Sequence, residues 1–571
     1  MASQFDADPT EINELFEGRK TLYQIPEYQR PYSWEKSHID QLWDDLYEAW
    51  NAGTDGDDSY FLGTVILVDN GEKRLDILDG QQRITTLVIF YAVLRDFFSD
   101  ELDPRMDTIK RRLQDSSGDD STFRLRTGEK HQDEFETTIL SSVDLSEDNN
   151  YTDAAKYTKN ALEDKFDDPQ ELRDFFDFVE FEVETIQIET SDLSYAIRLF
   201  QTANTRGKDL TVSDLTKSYL LSLTSNDEQR KTVTESWKKL SSKFDDNYSR
   251  LDNLLSSYRL YLQETRAESA IYEELKDEFD TTLQGETSVV ELARDIDRYA
   301  EEFLSVENDQ SQEMYMLSNL KHTQYWKTLL TTAKKQGFGD YEGLVDALVA
   351  MYYSYWVGGH TSAKIKNPSY DLLSLVKDGG SLDDVWEYIE DDRSSKNIAQ
   401  KVQNNLYSDV YEASWHQPLL LAIEYGFTPD VKTDEIEPGQ ELHREHILPK
   451  KFTTAMEKEE YWRENFSAEE AAQLRHSLGN IVPLEQKVHE TVQQKPFPTK
   501  AAHYMGSDST LASVGEDREA TNFDLTRRVV EEYDDWTPDN IRAYRDYLVK
   551  KSASLLMLEE EELLQVAESQ E

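Results

Sequence analysis

The spacing of apolar residues changes near residue 220, and this change limits the folds open to the chain. Before it, short apolar runs predict strands and alternate with helical segments: strands at 61–68, 75–78 and 181–188, helices at 39–50, 85–98 and 192–202. From about Asp214 to Glu424 nearly every segment has helical spacing, for example 251–264, 341–357 and 415–427. At 571 residues, and roughly 100–200 residues per domain, we expect an α+β multidomain protein. The predicted domains are a mixed α/β domain at 1–222, an all-α middle domain at 223–428 and a third domain at 429–571.

The charge of the chain is unusually negative. The net charge is −54, from 115 acidic against 61 basic residues, and the acids are spread over the whole length. Aromatic residues make up 11% of the chain, which argues against disorder. A folded, uniformly acidic protein is typical of a salt-loving organism, because about 1 M salt screens its self-repulsion. The alternative is an ordinary acidic protein that avoids DNA.

Two absences narrow the function classes. The chain has no cysteine, which excludes disulfides, thiol catalysis and cysteine-ligated metals. No cationic, apolar leader opens the sequence, and no apolar run approaches the roughly 20 residues of a membrane span. We therefore expect a cytoplasmic protein without a membrane partner.

The segment ILDGQQRITTL, residues 77–87, marks a predicted junction between a strand and a helix. Gly80 lets a ligand approach the backbone, Gln81 and Gln82 can bond a base, ribose or phosphate, and Arg83 adds charge at a helix start. Asp79 could hold a divalent ion or orient water. The alternative is a capped helix, with Asp79 as the N-cap residue and both glutamines in solvent.

Two further polar segments accompany this motif. IPEYQRPYSW (25–34) combines aromatic rings with Gln29 and Arg30, and Arg30 can bind phosphate with two nitrogens. NTRGK (204–208) is a basic loop before a helix that begins near Ser213 or Asp214. Either segment could instead be structural, as a packed turn or a connection between helices. The chain has no P-loop and no G-x-G-x-x-G motif, so any nucleotide site has another design.

Histidines cluster near the C-terminus, where five of the ten lie between residues 443 and 503. Glu445-His446 precedes the Ile-Leu-Pro end of a predicted strand, Asn480 follows in a loop, and His489 lies further on. Nuclease chemistry needs a base that activates water and a divalent ion that stabilises phosphate charge. This order of residues is that of a ββα-metal (His-Asn-His, HNH) nuclease. Isolated histidines would more often be structural.

Together, DGQQR, IPEYQRPYSW, NTRGK, EHILP and LGNIVPLE…KPF resemble the GmrSD-type modification-dependent restriction endonucleases and the related phosphorothioate-sensing SspE-like proteins. The resemblance implies an N-terminal ParB/sulfiredoxin-like domain that binds and hydrolyses GTP or another nucleoside triphosphate and senses modified DNA. It implies a C-terminal HNH nuclease domain that uses Mg²⁺ or Mn²⁺. The family often has Asn where this chain has His489, and a small polar residue at Pro483.

The resemblance also assigns roles to individual residues. The nucleotide site would comprise Asp79, Gly80, Gln81, Gln82 and Arg83, with Tyr28, Gln29 and Arg30 nearby. His446 would be the general base, Glu445 and His489 the metal ligands, and Asn480 a residue that positions the loop or the metal. The expected DNA contacts are Lys495, Lys500, Arg206 and Lys208.

These observations predict a nucleotide-regulated endonuclease that cleaves modified double-stranded DNA in defence against phage. A homodimer remains open. Two alternatives are a nucleotide-binding scaffold with an inactive nuclease half and an RNA-cleaving toxin.

Overall fold

The protein divides into two compact units, Met1–Leu255 with Ser269–Asp297, and Ser256–Glu268 with Arg298–Glu571. The computed structural model describes residues 6–17, 22–26, 29–53, 59–69, 73–115, 122–191, 195–196, 199, 211–245, 247–285, 287–320, 323–426, 442–506 and 521–564.

The first unit is built on a mixed sheet. Its strands are β1 (Asp6–Glu11), β2 (Tyr23–Gln24), β3 (Tyr60–Val68), β4 (Leu75–Asp79), β5 (Gln114–Asp115), β6 (Thr122–Phe123), β7 (Leu125–Arg126) and β8 (Val183–Thr190). Six of them form one sheet in the order β1-β8-β3-β4-β2-β7, and β5 pairs with β6 separately. The pairs β1–β8 and β3–β4 are antiparallel, and the other neighbours in the large sheet are parallel.

Twelve helices accompany the sheet among the described residues. They are α1 (Ile12–Leu15), α2 (Lys36–Ala52), α3 (Gln81–Phe97), α4 (Met106–Leu113), α5 (Glu129–Phe135), α6 (Asn150–Lys165), α7 (Pro169–Phe181), α8 (Val212–Ser222), α9 (Asp227–Lys243), α10 (Tyr248–Gln263), α11 (Ile271–Leu283) and α12 (Val289–Glu307). The last residues of α10 and of α12 belong to the second unit. Helix α3 is buried on all sides from Ile84 to Leu94, as expected of a helix without a polar face.

The strands and helices of this unit confirm most of the predicted elements. The predicted strands at 61–68, 75–78 and 181–188 correspond to β3, β4 and β8. The predicted helix start at Ser213 or Asp214 is wrong by a few residues. Thr211 is the N-cap residue, and its side chain accepts a hydrogen bond from the Asp214 amide in a capping box. The predicted helix at 192–202 lies mostly outside the described residues.

The second unit is mainly helical. Its remaining helices are α13 (Gln312–Ser318), α14 (Thr323–Gln336), α15 (Tyr341–Val357), α16 (Ser362–Lys377), α17 (Leu382–Ser395), α18 (Ile398–Leu406), α19 (His416–Tyr425), α20 (Phe452–Lys458), α21 (Glu460–Asn465), α22 (Ala468–Leu474), α23 (Gln486–Val492), α24 (Phe497–Tyr504), α25 (Asp524–Glu532), α26 (Pro538–Leu556) and α27 (Glu560–Leu564). One hydrophobic core joins residues from Val306 to Leu563, so the middle helices and the C-terminal segments share it.

This unit also contains a strand pair followed by a helix. Strands β9 (Leu442–His446) and β10 (Ile481–Glu485) are antiparallel, and α23 begins directly after β10. Helix α26 packs against the turn before β10 so closely that a Cβ on Gly479 would lie 2.1 Å from the Ile541 carbonyl oxygen. The turn and the helix therefore fix each other.

The fold is thus a mixed α+β, mostly helical multidomain chain, as expected. The boundaries at 222 and 428 stay a prediction, because one compact unit can contain more than one domain. Among the described helices, none is long and apolar enough to cross a membrane.

Candidate functional site

The three motif residues of the C-terminal segment occupy a strand, a turn and a helix in the predicted order. His446 ends β9 and lies opposite Ile481, the first residue of β10. Asn480 lies in the 3₁₀ turn before β10, and His489 lies on α23. The strand pairing therefore brings residues more than 30 positions apart in sequence to one end of a small ββα arrangement.

Asn480 is fully buried and holds this turn together. Its Oδ1 accepts hydrogen bonds from the Leu448 amide (2.8 Å) and from Trp536 Nε1 (3.0 Å). Its Nδ2 donates to the carbonyls of Leu448 (3.0 Å) and Arg475 (2.8 Å). The side-chain amide thus makes four hydrogen bonds inside the protein, two accepted and two donated. Asn480 is therefore a positioning residue for the segment after β9.

Glu445 and His489 form a hydrogen-bonded pair. Glu445 Oε2 lies 2.6 Å from His489 Nδ1, and the carboxylate is 2% exposed while the imidazole is 33% exposed. The other carboxylate oxygen accepts bonds from Lys500 Nζ and from the Tyr504 hydroxyl. The pair therefore reaches the surface at His489 and is anchored from within at Glu445.

Lys500 is fully buried, which does not fit the predicted DNA contact. Its Nζ donates to Glu445 and, at 2.8 Å, to the His446 carbonyl oxygen. Burial lowers the pKa of Lys500, and the adjacent Glu445 opposes that shift. A side chain in this position has no surface to offer a phosphate, so it supports Glu445 and the end of β9 instead. Lys495 is partly exposed, and its Nζ lies 3.0 Å from His503 Nε2.

The His446 ring has a different set of neighbours from Glu445, because successive side chains of a strand point to opposite faces. Its Nε2 lies 3.1 Å from His476 Nδ1, and the Tyr411 ring packs against both imidazoles. Burial, together with nearby cations and histidines, lowers the pKa of His446 well below its usual range. The ring is therefore a neutral imidazole at neutral pH.

Two cations lie over the Tyr411 ring that packs against this histidine pair. The Lys450 ammonium lies 4.0 Å and the Arg444 guanidinium 4.7 Å from the centre of the Tyr411 ring. Arg444 also donates to the Tyr411 carbonyl oxygen. Positive charge beside two imidazoles suits a phosphate group.

Carboxylate oxygen and imidazole nitrogen are both donors that bind divalent ions in proteins. Glu445 and His489 are close enough to share one ion, in exchange for the hydrogen bond between them. Among the described residues, no group of three or more such side chains is arranged to hold a metal ion. The remaining ligands would come from water or substrate.

In the first unit, the segment Asp79–Arg83 joins β4 to α3. Gly80 is the N-cap residue at φ +87°, a left-handed conformation that favours glycine, and an added Cβ would lie 3.0 Å from Val65 Cγ2. Asp79 Oδ1 accepts the Gly80 amide, and burial raises the pKa of Asp79 although Arg83 opposes that shift. Arg83 donates to the carbonyls of Leu62 (3.1 Å) and Thr64 (2.9 Å). Its guanidinium thus ties α3 to β3.

The glutamines attach the IPEYQRPYSW segment to the start of α3. Gln81 Nε2 donates to the Arg30 carbonyl, and Gln82 bonds both the Ser33 amide (2.9 Å) and the Pro31 carbonyl. In return, Gln29 Nε2 donates to the Leu78 carbonyl at 3.1 Å. Gln81 Oε1 is buried and has no hydrogen-bond partner within the described structure.

Four predicted nucleotide or DNA contacts remain, and the structure describes one of them. Arg30 lines a cleft of the first unit, with its guanidinium 4.0 Å from Asp214. Tyr28, Arg206 and Lys208 lie outside the described residues.

Two neighbours of His446 were missed by sequence reasoning. His476 belongs to the histidine cluster but matches no motif position, and Tyr411 precedes the cluster by more than 30 residues. Only the fold brings them to His446. The excess of histidines between 443 and 503 was the available signal for His476.

Comparison with known families agrees with both halves of the chain. Residues 12–221 match the model described as GmrSD restriction endonuclease, N-terminal domain. Residues 395–551 match the model described as GmrSD restriction endonucleases, C-terminal domain. A search of curated proteins found no match.

Proposed function

The chain belongs to the GmrSD restriction endonucleases, and we propose that it cleaves modified DNA with a divalent metal ion under the control of a nucleoside triphosphate. Endonuclease action on DNA follows from the family. Dependence on DNA modification, metal and nucleotide is our proposal, as is the cytoplasm as the place where phage DNA is met.

The observation that carries the nuclease assignment is the Glu445–His489 pair on a ββα arrangement, with His446 next to Glu445 at the end of β9. In this mechanism His446 accepts a proton from the water that attacks the phosphorus. The bond from phosphorus to the leaving oxygen breaks, and that oxygen takes a proton from solvent. Asn480 keeps the segment after β9 in place, and His476 holds the His446 ring by its hydrogen bond.

The metal would be held by Glu445 and His489. When bound, Mg²⁺ or Mn²⁺ would stabilise the negative charge that develops on the phosphate oxygens. Lys500 and Tyr504 orient the Glu445 carboxylate from the buried side, so its second oxygen stays directed at His489.

The first unit would supply nucleotide control, as a ParB/sulfiredoxin-like domain. Hydrogen bonds that join Asp79–Arg83 to Gln29 and Arg30 support this assignment. A nucleotide site here would not use a P-loop. Because these hydrogen bonds hold the 25–34 segment against the start of the central helix α3, a ligand bound to that segment could bias the packing of the whole unit.

The experiment is plasmid cleavage in molar KCl, with Mg²⁺ or Mn²⁺, on modified and unmodified DNA, with and without GTP. We expect cleavage of modified DNA, dependence on the metal and a change of rate with GTP. Cleavage that ignores modification would refute modification dependence, and an unchanged rate with every nucleoside triphosphate would refute nucleotide control. Degradation of RNA without DNA cleavage would favour a toxin.

The metal site has a separate test by thermal unfolding with Mn²⁺. We expect Mn²⁺ to raise the unfolding midpoint of the wild type but not of the double variant Glu445→Gln, His489→Ala. The control is His38→Ala, which alters a histidine of the first unit and should keep the Mn²⁺ response. The same response in the double variant would exclude this pair as the metal site.

A further inference from the structure

The first unit contains an open cleft beside the IPEYQRPYSW segment, with an enclosed volume of about 80 Å³ that widens to about 650 Å³ when the solvent space at its mouth is included. Six parts of the chain line it: the 25–34 segment, residues 127–131, and the helices α6, α8, α9 and α10. Residues from Ile25 to Tyr248 therefore surround one space. The charged and aromatic members that matter here are Arg30, Lys217, Lys238, Tyr32, Tyr151 and Tyr248.

The charge of this cleft is opposite to that of the chain. Acidic residues outnumber basic ones by 115 to 61 overall, yet none of the described lining residues is Asp or Glu. Three are cations, from the 25–34 segment, from α8 and from α9. The Arg30 guanidinium also forms an ion pair with Asp214, at 4.0 Å. Cations gathered in a concave surface attract an anionic ligand more strongly than scattered ones do.

Aromatic rings stand beside the cations. Tyr32 and Tyr151 are only 2% and 4% exposed and stack on each other with ring centres 5.6 Å apart, so they form the floor of the cleft. Tyr248, at the start of α10, is partly exposed and presents its ring to the cleft. Pro26 and Pro31 stiffen the wall that carries Arg30. Cations for phosphate together with flat rings for a base are the two elements of nucleotide recognition.

The DGQQR segment supports this wall from behind. Gln81 donates to the Arg30 carbonyl, Gln82 binds the Pro31 carbonyl, and Gln29 binds the Leu78 carbonyl. The motif side chains therefore fix the backbone that carries Arg30, while Arg83 is bound to β3. This arrangement separates residues that shape the site from residues that face it.

We propose that this cleft binds the nucleoside triphosphate, with Arg30, Lys217 and Lys238 at the phosphates and the Tyr248 ring at the base. The inference rests on the proposed nucleotide control and deepens it by naming Lys217 and Lys238 as binding residues. Gln81 and Gln82 act as positioning residues for Arg30.

The test uses a pair of neighbouring lysines on α9. Lys238 lines the cleft, whereas Lys239 is 63% exposed, does not line it and pairs with Asp297 at 3.3 Å. Lys238→Glu and Lys239→Glu change the net charge equally. Binding of GTP to the full chain is measured by calorimetry at one fixed KCl concentration. We expect Lys238→Glu to weaken binding by about tenfold or more, and Lys239→Glu by less than about twofold.

A second variant, Lys217→Gln, removes a cation from α8 without introducing an acid. We expect it to weaken GTP binding by several fold while the unfolding midpoint stays near that of the wild type. If both α9 variants weaken binding equally, or neither does, the cleft is not the nucleotide site. If a short single-stranded oligonucleotide, and not GTP, loses affinity in Lys238→Glu, the cleft is a DNA site and the inference is overturned.

The outcomes also distinguish this inference from the proposed function. A wild type that binds no nucleoside triphosphate would refute nucleotide control itself. A wild type that binds GTP independently of Arg30, Lys217 and Lys238 would refute only the cleft. DNA cleavage by the C-terminal residues is measured separately and does not depend on either result.

Discussion

Asn480 shows how a motif residue can serve a nuclease without facing the substrate. Its four hydrogen bonds join the segment after β9, the turn before β10 and Trp536. The identity of this residue could be predicted from the His-Asn-His order. Its partners could not, because Trp536 lies 56 positions away and no local pattern links the two.

Replacing Asn480 by Ala should destabilise the second unit. The change removes four bonds and leaves the Leu448 amide and Trp536 Nε1 buried without a partner, at roughly 1–3 kcal/mol for each group. We expect the free energy of unfolding, measured with urea, to fall by roughly 3 kcal/mol, and DNA cleavage to fall with it. A variant as stable as the wild type would contradict this positioning role.

His416 is a second buried residue with a testable consequence. It is fully buried, neither ring nitrogen has a hydrogen-bond partner within the described structure, and burial lowers its pKa from 6.5 to about 3. Below pH 6.5 this histidine binds a proton in the unfolded chain but not in the folded chain. The contribution of His416 to the unfolding free energy is therefore full above pH 6.5 and is lost as the pH falls towards 3.

We expect His416→Phe to be less sensitive to acid. Between pH 7 and pH 5 the wild type should lose roughly 2 kcal/mol more unfolding free energy than the variant. The measurement is urea unfolding at a series of pH values. Parallel pH curves for the two proteins would show that His416 is not the source of the loss.

Among the helices and strands, the spacing of apolar residues predicted those elements whose formation depends on local sequence. The strands at 61–68 and 75–78 and the helix at 341–357 agree with β3, β4 and α15. The contacts of Gln81 and Gln82 could not be predicted, because the amides bind a segment about 50 residues earlier in the chain. An amide that could bind a ligand and one that binds backbone look the same in sequence.

The packing of α26 on the turn before β10 gives a prediction at this scale. In Gly479→Ala the new Cβ would lie 2.1 Å from the Ile541 carbonyl oxygen and 2.6 Å from the Arg545 amide nitrogen, so α26 must move. We expect a loss of about 2–3 kcal/mol of unfolding free energy and a large loss of cleavage. Gly339→Ala is the control, since its Cβ would meet nothing within 4 Å. Equal stability of the two variants would contradict the close contact.

At the scale of the whole molecule, charge is the dominant feature. The net charge is −54, so the carboxylates of the folded chain repel each other in dilute buffer, and salt screens that repulsion. We expect the unfolding midpoint to rise by several degrees between about 0.1 M and about 2 M KCl, measured by calorimetry. A midpoint that stays constant or falls would contradict adaptation to high salt.

In the proposed mechanism His446 is the base of a metal-dependent DNA nuclease. The most direct measurement is a time course of modified-plasmid cleavage with Mn²⁺ in molar KCl, comparing the wild type, His446→Ala and the control His38→Ala. We expect His446→Ala to cleave at least about 100-fold more slowly and His38→Ala to cleave like the wild type. Cleavage by His446→Ala at the wild-type rate would show that His446 is not the base.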